Sequence, residues 1–256
     1  MAWRQRRINL PAPYLRRLLL DADKVEDWEA YPFCLQLFRR RSFEWSLDRP
    51  VTIIVGENGV GKSTVLEGVA ILAGFDEAGG GKGYRPVDHS RALDRSGGLL
   101  AKALRAQWLP KITNGWFFRA ESFFSVARYL DEAAIGTPGP PPPDFLSHSH
   151  GEGFLRFFNE RTRRQGLFIL DEPESALSPS RQIEFMKLLR RMEREDGAQT
   201  IIATHAPLLM AYPGATLLRM TKDGLDPIEV TQTEHFKLLK EFFLEPRGFV
   251  DAMMEV

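Results

Sequence analysis

The sequence predicts an α/β fold, a mostly parallel central sheet with helices on both faces. Three observations carry that prediction. A β-branched run turns through glycines into a helix, a second apolar run ends in two carboxylates, and strand-like and helix-like segments alternate along much of the chain.

The first observation is the most specific. Val51-Thr52-Ile53-Ile54-Val55 reads as a short buried strand. Ser63 to Ala73 reads as a helix, with Val65, Leu66, Val69, Ala70 and Leu72 on or near one face. Between them Gly56-Glu57-Asn58-Gly59-Val60-Gly61-Lys62-Ser63-Thr64 fits G-x-x-x-x-G-K-[ST]. In that loop the backbone N–H groups wrap phosphates and the lysine reaches the terminal ones, while the positive end of the helix dipole faces the anion. Lys62 is therefore expected to bridge the β- and γ-phosphates, and the Ser63 hydroxyl to bind Mg²⁺.

The second run is Phe168-Ile169-Leu170-Asp171-Glu172-Pro173. Asp171, at the end of a buried strand, is placed to complete the metal shell. Glu172 follows where a carboxylate can polarise an attacking water. A further strand, Thr200 to Ala203, leads into Ala203-Thr204-His205-Ala206-Pro207, which suggests a histidine that senses the γ-phosphate. The ordered motifs imply a nucleoside-triphosphate hydrolase, with ATP as the expected nucleotide.

The remaining elements follow from pattern. Residues 1–50 read as a β-rich edge, with Phe33 to Phe38 and Ser42 to Leu47 partly alternating around Arg39, Arg40 and Arg41. Gly79-Gly80-Gly81-Lys82-Gly83 lies in a stretch, 76–98, expected to be a mobile loop near the nucleotide. Leu99 to Leu109 is a helical candidate, Gly115 to Glu121 a strand, and Ser122 to Leu130 another helix. Gly136 to Pro143 is a stiff proline-rich connector. Helices are predicted over Glu152 to Arg164 and Arg181 to Arg194, the latter with apolar Ile183, Met186, Leu189 and Met192. Strands are predicted at Leu167 to Leu170 and Thr216 to Met220, and a last helix at Glu234 to Leu244. The whole, 1–256, is expected to be one unit, with an N-terminal part (1–75), an inserted loop and helical part (76–165) and a C-terminal part (166–256).

Composition sets bounds. Hydrophobic residues make up 43% and charged residues 27%, as in an ordinary globular domain. The 34 Lys and Arg balance the 34 Asp and Glu, so no global basic field points to nucleic acid. Cys34 stands alone, which excludes an internal disulfide and a cysteine-built metal site and suits a reducing cytoplasm. No apolar run is long enough to cross a bilayer, and Leu18-Leu19-Leu20 runs at once into Asp21 and Asp23, so neither a membrane span nor a signal-peptide core is expected.

These residues resemble the ABC-type ATPase superfamily. Ser149-His150-Gly151-Glu152, upstream of Asp171, is similar to that class's signature turn, with His150 for the first glycine and Glu152 for the usual glutamine. Glu174-Ser175-Ala176-Leu177-Ser178 resembles the loop that crosses its dimer interface. The resemblance implies an ATP-dependent homodimer, packed head to tail, in which Ser149 and Gly151 of one head cap the ATP of the other. Where the superfamily has a glutamine after the third core strand this chain has Glu121 and Ser122, and Glu121 is the candidate for a Mg²⁺ contact there.

The soluble branch with SMC-like and RecF-like heads fits best. More narrowly, the chain resembles a family of small single-head bacterial ATPases of the AAA, ABC-like kind. Phe118-Arg119-Ala120-Glu121-Ser122-Phe123-Phe124, Ser147-His148-Ser149-His150-Gly151-Glu152 and Leu170-Asp171-Glu172-Pro173-Glu174-Ser175-Ala176-Leu177-Ser178-Pro179 carry that likeness. Fewer residues separate Glu121 from Ser149 than a coiled-coil arm would need. DNA or a protein is the expected partner. The alternatives are the ATPase subunit of a transporter and an ATP-switched interaction module. Phe38, Phe43 and Trp45 are candidates to stack on adenine, and Arg40 and Arg41 to touch the nucleotide. Arg156, Arg161, Arg163 and Arg164 are candidates for a basic ridge, whereas His148 and His150 lack a third ligand for a metal.

Overall fold

The computed structural model describes residues 10–82, 96–119 and 150–254. Its centre is a seven-stranded sheet. The strands are β3 (Val51–Val55), β4 (Gly80–Gly81), β6 (Gly115–Arg119), β7 (Gly166–Asp171), β8 (Ala198–Ala203), β9 (Thr216–Thr221) and β10 (Gly224–Pro227), in the order β10-β9-β3-β8-β7-β6-β4. The five inner strands are parallel, and only the edge pairs β10 with β9 and β4 with β6 are antiparallel.

Parallel strands covered on both faces are mostly apolar, and these supply both cores. Val51, Ile53, Val55, Phe168, Leu170 and Ile202 belong to one core. Ile54, Ile169, Ile201 and Ala203, one step out of phase, belong to the other. Helix α1 (Lys62–Ala73) buries Val65, Leu66, Val69 and Ala70 in the second core. Helices α3 (His150–Arg161) and α4 (Pro179–Arg191) close the first, where Phe158 meets Phe118 and Phe185 at ring separations of 4.9 Å each. Gly56, Asp171 and His205 thus emerge together at the carboxyl ends of neighbouring parallel strands, the end at which open α/β sheets bind ligands.

A second, antiparallel sheet of three strands, β2-β1-β5, packs on the α1 side; β1 is Leu15–Leu20, β2 Glu44–Ser46 and β5 Leu104–Trp108. Gln199, fully buried in β8, fastens it. The backbone N–H groups of Tyr14 and Leu15 each donate to Gln199 Oε1 at 2.8 Å, and its amide donates back to the Leu15 carbonyl at 2.9 Å.

Several local expectations need correction. The N-terminal sheet is made by Leu15–Leu20, not by Phe33–Phe38, which bends into a short 3₁₀ turn at Gln36–Phe38. Leu99–Leu109 splits: helix α2 (Ser96–Ala103) ends where Leu104–Trp108 becomes β5, because alternation of buried Leu104 with exposed Arg105 and Gln107 suits pairing with β1. Within 76–98, Gly80 and Gly81 form an edge strand against Phe117 and Trp116, and a Cβ on Gly81 would lie 2.7 Å from the Trp116 ring. Beyond Leu244 a further helix, α7 (Pro246–Met254), follows α6 (Glu234–Leu244). The Ser122–Leu130 helix and the proline-rich connector lie outside the described residues. No described helix is long and apolar enough to cross a membrane.

Candidate functional site

The site starts where β3 ends. Gly59 (φ 77°) and Gly61 (φ 106°) take the left-handed conformations that turn the chain back into α1, and Cβ atoms would strain both. At Gly56 the constraint is space, since a Cβ would meet the Met220 carbonyl oxygen at 2.6 Å. Lys62, buried at the start of α1, lies back along the loop and donates from Nζ to the carbonyls of Gly56 (2.8 Å) and Glu57 (2.9 Å). Burial pulls its ammonium below the usual lysine range, against the opposing pull of Glu172, Asp171 and Glu174. The loop therefore holds a cation whose two carbonyl partners a phosphate can replace.

Ser63 and Asp171 meet across the floor of the site, with the serine Oγ donating to Asp171 Oδ1 at 3.2 Å. Burial raises the Asp171 carboxyl to about 6, while Arg119 and the Ser63 hydroxyl pull it down. Arg119, opposite Asp171 in strand register, donates to Glu67 Oε1 of α1 at 2.7 Å and has its Nε 3.9 Å from Asp171 Oδ2. A hydroxyl beside a carboxylate is a hard-oxygen pair that fits Mg²⁺, which takes few protein ligands and fills its shell with water and phosphate. No cluster of three or more His, Cys, Asp or Glu suited to a metal occurs among the described residues.

Glu172 sits in the left-handed region (φ 50°, ψ 53°), a strained conformation for a residue with a side chain. Two contacts hold it there. Its N–H donates to the Ala203 carbonyl at 3.0 Å, and Pro173 starts the 3₁₀ turn Pro173–Ala176 directly behind it. The turn leaves the carboxylate about half exposed, with Oε1 3.6 Å from Nε2 of His205. His205 follows β8, fixed by its own N–H donating to Glu174 Oε1 at 2.6 Å. Burial, then Lys62, pushes its imidazole below the ordinary histidine range, so it is neutral at pH 7.

Lys62, Ser63, Asp171, Glu172 and His205 are thus brought into one cluster around the loop Gly56–Thr64. An open groove of about 840 Å³ is lined by Gly56 to Val60 of that loop, by Leu35 and by Thr233 and His235. Gly151 lies beside the turn that follows Glu172, where a Cβ would stand 3.1 Å from the Ala176 carbonyl. Glu121 and Ser149 lie outside the described residues.

Other candidates are not brought to the site. Phe38, Phe43 and Trp45 are buried in the core and offer no face to a base. Arg40 pairs with Asp223 at 2.6 Å and Arg41 stacks over Trp28, so neither points to the loop through these contacts. Of the ridge candidates, Arg156 pairs with Glu160 and Arg161 lies over the rings of Trp116 and Phe157.

Three residues that the sequence reading missed stand at the site. Tyr31, half exposed, shares a 2.6 Å hydrogen bond with the Thr64 hydroxyl. Arg119 could have been found from its place at the polar end of a strand beside Asp171. His235, whose Nε2 is 3.1 Å from His205 Nδ1, carried no signal in the sequence.

Comparison with known proteins finds similarity over parts of the chain. Residues 133–211 match the family described as "AAA domain, putative AbiEii toxin, Type IV TA system". The chain is 29% identical over 157 residues to an aliphatic sulfonates import ATP-binding protein of Xanthomonas axonopodis pv. citri, covering 59% of this chain and 52% of that one. It is 28% identical over 156 residues to the counterpart in Pseudomonas entomophila, covering 59% and 56%. The chain spans about half the length of these curated relatives. Among solved structures, the SMC head domain from Thermotoga maritima superposes with a TM-score of 0.47 and 16% identity, over 85% of this chain and all of that one.

Proposed function

We propose that this chain, a member of the ABC-type ATPase superfamily, binds ATP with Mg²⁺ at the loop Gly56–Thr64 and hydrolyses it. One observation carries the reading: Ser63 and Asp171 lie 3.2 Å apart beside buried Lys62, with Glu172 and His205 3.6 Å apart on the same rim.

The roles follow from chemistry. Backbone N–H groups of 56–61 and the α1 N-terminus receive phosphate oxygens, and Lys62 exchanges its carbonyl partners for the β- and γ-phosphates. Ser63 and Asp171 are the residues that would hold Mg²⁺, which when bound offsets the charge on the phosphate oxygens. Metal binding also needs Asp171 ionised, the form that burial disfavours. Glu172, half exposed and aimed outward, accepts a proton from the attacking water. His205, neutral, presents a ring N–H to the terminal phosphate. Tyr31 supplies the exposed aromatic face beside Thr64.

Within this reading two chains pack head to tail around ATP, Ser149 and Gly151 of one capping the nucleotide of the other and Glu121 serving the metal. The exposed Glu172 carboxylate supports that, since a second surface is what would exclude bulk water from it. The cellular role is DNA-linked or defence-linked. The word toxin in the description of the matched family supports the defence-linked role. A second reading, the ATPase subunit of a transporter, is favoured by the import proteins among the relatives.

Steady-state Mg²⁺-ATPase activity against protein concentration, with and without double-stranded DNA, tests the proposal. A rate per chain that rises with concentration supports dimeric catalysis, and DNA stimulation supports the DNA-linked role. No Mg²⁺-dependent hydrolysis at any concentration refutes the ATPase reading.

A further inference from the structure

His205 and His235 share a ring-to-ring contact that the functional reading above does not use. Nδ1 of His205 is 3.1 Å from Nε2 of His235, and the ring planes cross at 55°. A hydrogen bond between two imidazoles needs one proton between the two nitrogens. Either His235 donates, and His205 carries its proton on Nε2, or His205 donates from Nδ1 and its Nε2 is a bare lone pair.

The surroundings decide between these. His205 Nε2 is buried, has no hydrogen-bond partner among the described residues, and lies 3.6 Å from the Glu172 carboxylate oxygen. A lone pair facing a carboxylate is repelled, whereas an N–H facing it is attracted. The position of His235 is fixed by its helix: Thr233, buried, caps α6 by accepting from the Phe236 N–H at 3.3 Å and donates to the Val230 carbonyl at 2.7 Å.

We propose that His235 is a positioning residue that locks His205 in the Nε2–H tautomer, so that its ring donates a hydrogen bond to the terminal phosphate. The proposal rests on the ATPase reading. It joins the first turn of helix α6, about 30 residues beyond His205, to the reacting end of the nucleotide. The logic is that of a catalytic imidazole oriented by a hydrogen bond to its other nitrogen.

The test uses the full chain, with His235→Phe removing the donor and His235→Gln keeping an amide N–H. The His205 ring nitrogens are followed by ¹⁵N NMR without nucleotide, and kcat and KM for ATP are measured with Mg²⁺. Five histidines in the chain keep the spectrum assignable. The Nε2–H tautomer is expected in the wild type and in His235→Gln, with a mixture in His235→Phe. Turnover should fall on the order of tenfold to a hundredfold in His235→Phe with KM little changed, and recover largely in His235→Gln. The Nδ1–H tautomer in wild type, or a tautomer and kcat indifferent to His235→Phe, overturns the proposal. Absence of ATP hydrolysis in wild type instead refutes the ATPase reading, and the tautomer measurement still decides whether His235 locks His205.

Discussion

At the scale of single residues, the chemistry depends on groups held in forms that water would not favour. Lys62 is buried and, among the described residues, donates to backbone carbonyls alone, so a polyanion gains more from it than from an exposed lysine. Lys62→Ala should abolish nucleotide binding, seen as loss of the rise in melting temperature that ATP and Mg²⁺ give the wild type; a retained rise would contradict the role. Asp171 offers a pH signature. Its folded carboxyl titrates near 6 against an ordinary value of 3.8, so the native state holds that proton more tightly than the unfolded chain. This contribution is fully present below the unfolded value and is lost as pH rises through about 6, roughly 3 kcal/mol in all. Asp171→Asn should therefore melt progressively higher than wild type, without metal, as pH rises from 4 to 7. A melting difference constant over that range would contradict it.

At the scale of elements, the aromatic layer between α3, α4 and the sheet carries the helix that begins beside the Glu172 turn. Phe158, fully buried against Phe118, Phe168 and Phe185, is its centre. Phe158→Ala should cost about 3–5 kcal/mol, read as a lower denaturant midpoint with an unchanged slope. The elements legible in the sequence were those with a dominant local signal. Val51–Val55 is β-branched throughout, and the glycines that follow, with a helix behind them, mark a tight turn. Leu15–Leu20 was not legible because its arginines hide the period, and its place depends on Gln199, remote in sequence. The Leu99–Leu109 segment carried a helical and an alternating pattern in succession, and pairing with β1 decided where one gave way to the other.

At the scale of the whole molecule, parallel register gathers residues more than a hundred positions apart into one cluster. The members of the cluster, Lys62, Ser63, Asp171, Glu172 and His205, were therefore legible as motif residues, but their supports were not. Arg119 reaches Asp171 only through strand pairing, and His235 reaches His205 only because α6 folds back over the loop. The proposed head-to-tail pairing belongs to this scale too. With ATP and Mg²⁺ present, Glu172→Gln should sediment as a dimer and return to a monomer when ATP is removed; a constant mass under both conditions would contradict the pairing.

In the proposed mechanism this cluster hydrolyses ATP with Glu172 acting on the water. The most direct measurement sets ATP binding and Mg²⁺-ATPase turnover of wild type and Glu172→Gln side by side. Equal binding, with turnover lowered by about a hundredfold or more in the variant, is the predicted result. Equal turnover in both proteins would contradict it.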